Sequence, residues 1–66
     1  MNLSLEYTKL HIWYEDDGMW FVYNIIDVPL GLYDSQYKNI ALDHLKKDGM
    51  DNFKIRLEIE HKRTIY

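Results

Sequence analysis

Residues 3–14, LSLEYTKLHIWY, alternate apolar and polar side chains, but not in one phase. Leu3, Leu5 and Tyr7 share one parity, and Leu10, Ile12 and Tyr14 share the other. Side chains of a strand alternate between faces, so a parity switch near Thr8-Lys9 predicts a β-bulge there. Asp17-Gly18 follows, a strong short-range hairpin signal because Gly tolerates positive φ without a Cβ clash. Residues 19–28, MWFVYNIIDV, are β-branched and aromatic almost throughout and predict a second strand. Pro29 and Gly31 end it, one lacking a ladder donor and the other permitting a turn.

The period then changes. Tyr33, Tyr37, Ile40, Ala41, His44 and Leu45 recur at helical spacing, which predicts a helix over 35–48 with Asp34 as its N-cap. Lys46 and Lys47 fall in its last turn, where cations favour the helix dipole, and Gly49 suits the left-handed position beyond it. Phe53, Ile55, Leu57 and Ile59 then alternate with Lys54, Arg56, Glu58 and Glu60, the pattern of a strand over 52–62 with one dry face. The order is ββαβ. A helix returning along the sheet, with a right-handed crossover, sets the third strand beside the first and antiparallel to it. The expected fold is therefore a single small α+β domain over 1–66, a three-stranded antiparallel sheet of order 2-1-3 with one helix on one face.

One helix can cover one face of such a sheet, and "WYEDDGMWFVY" is aromatic on both parities. With a two-residue Asp17-Gly18 turn, Tyr14 faces Phe21, Ile12 faces Tyr23 and Leu10 faces Ile25, forming the apolar seat for the helix. Trp13, Trp20, Val22 and Ile26 are then left on the opposite face, beside Lys9, His11, Glu15 and Asn24. A three-residue Asp16-Asp17-Gly18 loop with a bulge is the alternative, in which Trp13 faces Phe21 and His11 faces Tyr23. In both registers Trp13 lies on the surplus face. Aromatic side chains bury about 150–250 Å² each, so the patch reaches the few hundred Å² that monomers tolerate. A protein partner or a second copy in a homodimer is expected to cover it; a curled sheet or the tail with Ile65 and Tyr66 is the other cover. The contact residues expected on this reading are Trp13, Trp20, Val22 and Ile26 with the acidic turn Glu15, Asp16 and Asp17.

Composition narrows the class. Sixty-six residues without cysteine exclude a disulfide framework and thiolate metal sites, which fits a reducing, cytoplasmic setting. A chain this short buries only about 60% of its unfolded surface, so aromatic packing or oligomerisation must compensate. No apolar run approaches the roughly 20 residues of a membrane span, and the start lacks the pattern of a signal peptide. The net charge of −3 is uneven: residues 1–45 hold 2 basic and 7 acidic side chains, residues 46–66 hold 6 and 4.

Chemistry-bearing constellations are sparse. His11, His44 and His61 fall on three different elements with no metal-ligand spacing, and no phosphate-cradling loop is present. No cofactor, metal or catalytic residue is expected, and the chain is read as non-enzymatic. Nucleic acid would be repelled by Glu15, Asp16 and Asp17 near the aromatics; the alternative nucleic-acid surface is the third strand, with Lys54, Arg56, Lys62 and Arg63. Conversely, carboxylates at Glu6, Glu15, Asp16, Asp17 and Asp27 beside Trp13 or Trp20 could stand in for phosphates in a basic cleft of a larger protein.

Within residues 7–47, "YEDDGMWFVY", "DVPLG" and "DSQYKNIALDHL" resemble the hairpin, strand-ending turn and helix of HicB-type antitoxins, a partial RNase H-like fold. That family has a further strand between the turn and the helix, for which Leu32 to Asp34 leave no room. The resemblance implies a partner-neutralising module. In size and surface the chain is also similar to small accessory proteins of phages and mobile elements that bind and inhibit a larger host protein.

Overall fold

The computed structural model describes the backbone of residues 4–65 and the side chains of residues 8–60. Three strands and one helix follow in the order β1 (Ser4–Asp16), β2 (Met19–Val28), α1 (Asp34–Lys47) and β3 (Lys54–Ile65). The strands form one antiparallel sheet of order β2-β1-β3, with α1 against one face. This is the ββαβ architecture expected from the pattern of apolar positions.

The hairpin closes through the two-residue turn. Asp17 and Gly18 both have positive φ, 52° and 76°, and Asp16 pairs with Met19, Glu15 with Trp20, Tyr14 with Phe21 and Trp13 with Val22. Positive φ at both central positions matches the right-handed twist of the flanking strands. Beyond Trp13 the register shifts by one residue, so that Ile12 pairs with Asn24, His11 with Ile25 and Leu10 with Ile26.

The bulge therefore lies in β2, where Tyr23 is the extra residue, and not near Thr8-Lys9. β1 pairs with β3 without any shift from Ser4↔Ile65 to Glu15↔Lys54. Tertiary contact explains the position of the bulge. Tyr23 packs against the core, and its hydroxyl donates to the Asp48 carboxylate and lies 3.1 Å from the His44 carbonyl, tying β2 to the end of α1. At the same kink Asn24 Oδ1 accepts from the Ile25 N–H at 2.8 Å. One residue past the bulge, every side chain of β2 has changed faces.

The core lies between α1 and the sheet. Leu10 and Ile12 from β1, Val28 from β2 and Tyr37, Ala41 and Leu45 from α1 are buried together, with Ile26, Ile40, Ile55 and Leu57 packed around them. Tyr37, Ala41 and Leu45 repeat every four residues, one face of a helix. Tyr33, expected on the same stripe, is 79% exposed, because it precedes the first helical turn. Thr8 is buried at the end of this cluster, its hydroxyl making no hydrogen bond.

The helix begins one residue earlier than expected. Tyr33, not Asp34, occupies the N-cap position, and its N–H donates to Gln36 Oε1 at 2.8 Å. Asp34 is thus inside the first turn, where its charge complements the dipole, as Lys46 and Lys47 do in the last. Gly49, with φ of 69°, ends the helix: its N–H donates to Lys46 O, and the Met50 N–H to Leu45 O. That pair of bonds is a Schellman motif, and Met50 joins the core beside it. Tyr37 also clasps the β2–α1 connection, donating to Pro29 O at 2.9 Å and accepting from the Leu32 N–H at 3.3 Å. Residues 29–33 of that connection hold no strand, which is the point of departure from the HicB pattern.

Candidate functional site: the open face of the sheet

The face away from α1 is built by the residues that alternate with the core. On β1 these are Lys9, His11, Trp13 and Glu15; on β2, Trp20 and Val22 before the bulge and Ile25 and Asp27 after it. Lys54, Arg56, Glu58 and Glu60 complete it on β3. Ile26, expected here, is on the other face. The bulge at Tyr23 turns it toward Leu10 and the core, and Ile25 takes the outward position, 47% exposed.

Two zones divide this face. Toward the end distant from the hairpin turn it is polar: Lys9 Nζ forms an ion pair with Asp27 Oδ1 at 2.6 Å, and His11 Nε2 is hydrogen-bonded to Glu60 Oε2 at 2.9 Å. Toward the hairpin turn it is aromatic. The Arg56 guanidinium lies 4.8 Å from the ring centre of Trp13 and 5.2 Å from that of Trp20, so one cation covers both indoles. Arg56 Nη2 is also 3.5 Å from Glu58 Oε1. A planar guanidinium on an indole face is attracted by the ring quadrupole while its edge N–H groups stay available.

Both tryptophans are half-buried, whereas Val22 is 48% exposed. The Trp13 Nε1 is buried without a hydrogen-bond partner. Such a donor costs about 1–3 kcal/mol when left unpaired. Asp16 and Asp17 are exposed at the turn; Glu15 is half-buried, directly between Trp20 and Lys54 in the ladder. The fold thus brings together Trp13, Trp20, Val22 and Glu15, and sets Asp16 and Asp17 at their border.

Arg56 is the residue whose place among the tryptophans was not legible from spacing. Its spacing groups it with Lys54, Lys62 and Arg63 on a basic strand; in the fold Arg56 pairs with Trp13 on β1 and reaches Trp20 across it. On β3 the cations Lys54 and Arg56 are followed on the same face by Glu58 and Glu60. The side chains of Glu6, His61, Lys62, Arg63, Ile65 and Tyr66 lie outside the described residues, but the backbone of β3 remains in the ladder to Ile65, opposite Ser4.

On the helix side, a groove of about 430 Å³ is lined by Asp34, Tyr37, Lys38, Leu57 and Ile59. Among the described residues no three His, Asp or Glu side chains converge in a way that could hold a metal ion, and no helix is long and apolar enough to cross a membrane. Comparison with protein-family models, curated proteins and solved structures gives no match to this chain.

Proposed function

We propose that this chain is a small, non-enzymatic binding module that engages a larger protein through the open face of its sheet. Trp13, Trp20, Val22 and Ile25 supply the apolar contact, and Glu15, Asp16 and Asp17 supply an acidic border. The observation that carries this reading is the large apolar surface on the face the only described helix does not reach, with Val22 and Ile25 about half exposed. Tryptophan and arginine dominate interface hot spots because they combine large area with a polar or charged handle. Arg56 over two indoles offers both in one place. The role is that of a partner-neutralising protein, as small accessory proteins of phages and mobile elements provide, with the acidic border facing a basic rim on the target.

The test uses the intact chain, immobilised and exposed to lysate of its source cell. Val22→Glu places a charge beside the tryptophans and Ile25→Glu places one at the border with the polar zone, both at half-exposed positions, where stability changes stay within about 0.5 kcal/mol. Both are expected to abolish capture of the bound protein while the circular-dichroism melt stays near that of the parent. Equal capture by parent and both variants would show that binding, if any, uses another surface.

A further inference from the structure

β3 is an edge strand, and its outer side has no partner among the described strands. The two edges of the sheet are unlike. β2 is kinked by the bulge at Tyr23, whereas β3 keeps an unbroken register with β1 along its whole length. A long, regular edge exposes a row of backbone donors and acceptors that templates another strand. Natural edges are protected by charge, and β3 carries charge; its order is what matters. On the open face the sequence runs Lys54, Arg56, Glu58, Glu60, two cations followed by two anions with Leu57 at the centre.

That order is complementary to itself when reversed. We propose that β3 pairs antiparallel with β3 of a second copy of this chain, about a two-fold axis at Leu57, joining the two sheets into one of six strands. A two-fold axis perpendicular to the sheet keeps like faces together, so residue i meets residue 114 − i. Lys54 then faces Glu60 of the second copy, and Arg56 faces its Glu58. On the helix side Ile55 faces Ile59 and Leu57 meets its own counterpart.

Neighbouring registers are weaker, since each keeps one complementary pair on either side of the axis but adds a like-charge pair at the axis itself. Moving the axis to Arg56 sets two guanidinium groups opposite each other, and moving it to Glu58 sets two carboxylates opposite each other. Like charges directly across a ladder are destabilising, and opposite charges stabilise it. Arg56 keeps its place over Trp13 and Trp20, and its edge N–H groups lie between two carboxylates, its own Glu58 at 3.5 Å and that of the second copy. Glu60 holds His11 at 2.9 Å on its inner side and meets Lys54 of the second copy on its outer side.

The helix side gives independent support. Ile59 is 49% exposed, and with Leu57 it forms the floor of the groove rimmed by Asp34 and Lys38. In the paired sheet Ile55 of the second copy lies beside Ile59, at the open side of that groove. The interface uses the β3 edge and leaves the indoles on the open face, so it stands or falls separately from the binding role above.

The experiment is sedimentation equilibrium of the intact chain and two charge variants, with circular dichroism to confirm folding. The parent is expected to dimerise. Lys54→Glu sets Glu against Glu60, and Glu60→Lys sets Lys against Lys54; each weakens self-association by about tenfold or more, since the axis applies each change twice. Mixed together, the two variants regain complementary pairs and form a heterodimer of near-parental affinity. A parent that stays monomeric overturns the proposal. So does a dimer that survives both variants, or variants that fail to rescue each other, because only this register sets residue 54 against residue 60. Loss of the dimer in Val22→Glu with retention in Lys54→Glu assigns self-association to the open face and overturns it equally.

Discussion

The two faces of the sheet are made from the same three strands and solve opposite problems. The helix face buries Leu10, Ile12, Val28, Tyr37, Ala41 and Leu45 almost completely. Past the end of α1, Tyr14 continues it with Phe21 and Phe53, ring centres 5.6 and 5.3 Å away. Among the described residues the open face has no second layer; its large side chains are shielded by neighbours, chiefly Arg56 lying on Trp13 and Trp20. Close packing makes the first face intolerant of change in volume. The second is held by side chains whose charged ends remain near solvent, so a change of volume there meets less resistance. In a domain of 66 residues the close packing that carries stability lies on one face, and the half-exposed apolar side chains Val22 and Ile25 lie on the other.

Substitutions that act on one face alone make this contrast measurable. The largest effect is expected in the core. Leu45→Ala removes a fully buried side chain and should cost about 2–5 kcal/mol, read as a lower urea midpoint. In a chain this small that loss leaves a large unfolded fraction in water. A cost below about 1 kcal/mol would mean that α1 does not carry the core.

Next in size is the tie between β2 and α1. Tyr23→Phe keeps the ring and removes the hydroxyl, at an expected cost of about 1 kcal/mol. The hydrogen bond to Asp48, reinforced by partial burial and by the negative charge of Asp48, raises the Tyr23 pKa above its ordinary value. Ionisation is therefore harder in the folded state than in the unfolded chain. The stabilisation is complete below about pH 10, the unfolded value, and is lost as pH rises through the higher folded value. Thermal melts from pH 7 to 11 should show a smaller alkaline loss in Tyr23→Phe than in the parent. Equal alkaline slopes would remove Asp48 as the cause.

The smallest effect on stability is expected on the open face. Arg56→Gln removes the cation above both indoles and should cost about 0.5–1 kcal/mol. Its main readout is spectroscopic: tryptophan emission should shift and become more readily quenched by iodide, because Trp13 and Trp20 lose their shared cover. Emission identical to the parent would show that Arg56 does not shield them. A destabilisation as large as that of Leu45→Ala would erase the distinction between the faces.

Periodicity was enough for the element order and most of the core, and the right-handed crossover rule added the sheet order. Ile55, Leu57 and Ile59 alternate without interruption, and Tyr37, Ala41 and Leu45 repeat at four. Asp17-Gly18 announced the turn, since few dipeptides accept positive φ twice. Local chemistry of this kind acts over a few residues and is written in their order. The capping of α1 was less legible, because Asp34 favours the N-cap in general, while here Gln36 satisfies the Tyr33 N–H and draws the start of the helix one residue back.

The face assignment of Ile25 and Ile26 could not be read along the chain. Either residue suits either side of β2, so their order carries no preference. It is decided by a bulge at Tyr23, and the bulge is held by a hydroxyl reaching the far end of α1, 21 to 25 residues later in the chain. Arg56 presents the same limit: its spacing marks a polar position on an edge strand, and only the register of β3 on β1, with Arg56 opposite Trp13, sets it above two tryptophans. Patterns of polarity act through neighbours in sequence and determine which elements form. Contacts between elements depend on distances that close only when those elements pack, and it is these that select the residues of the open face.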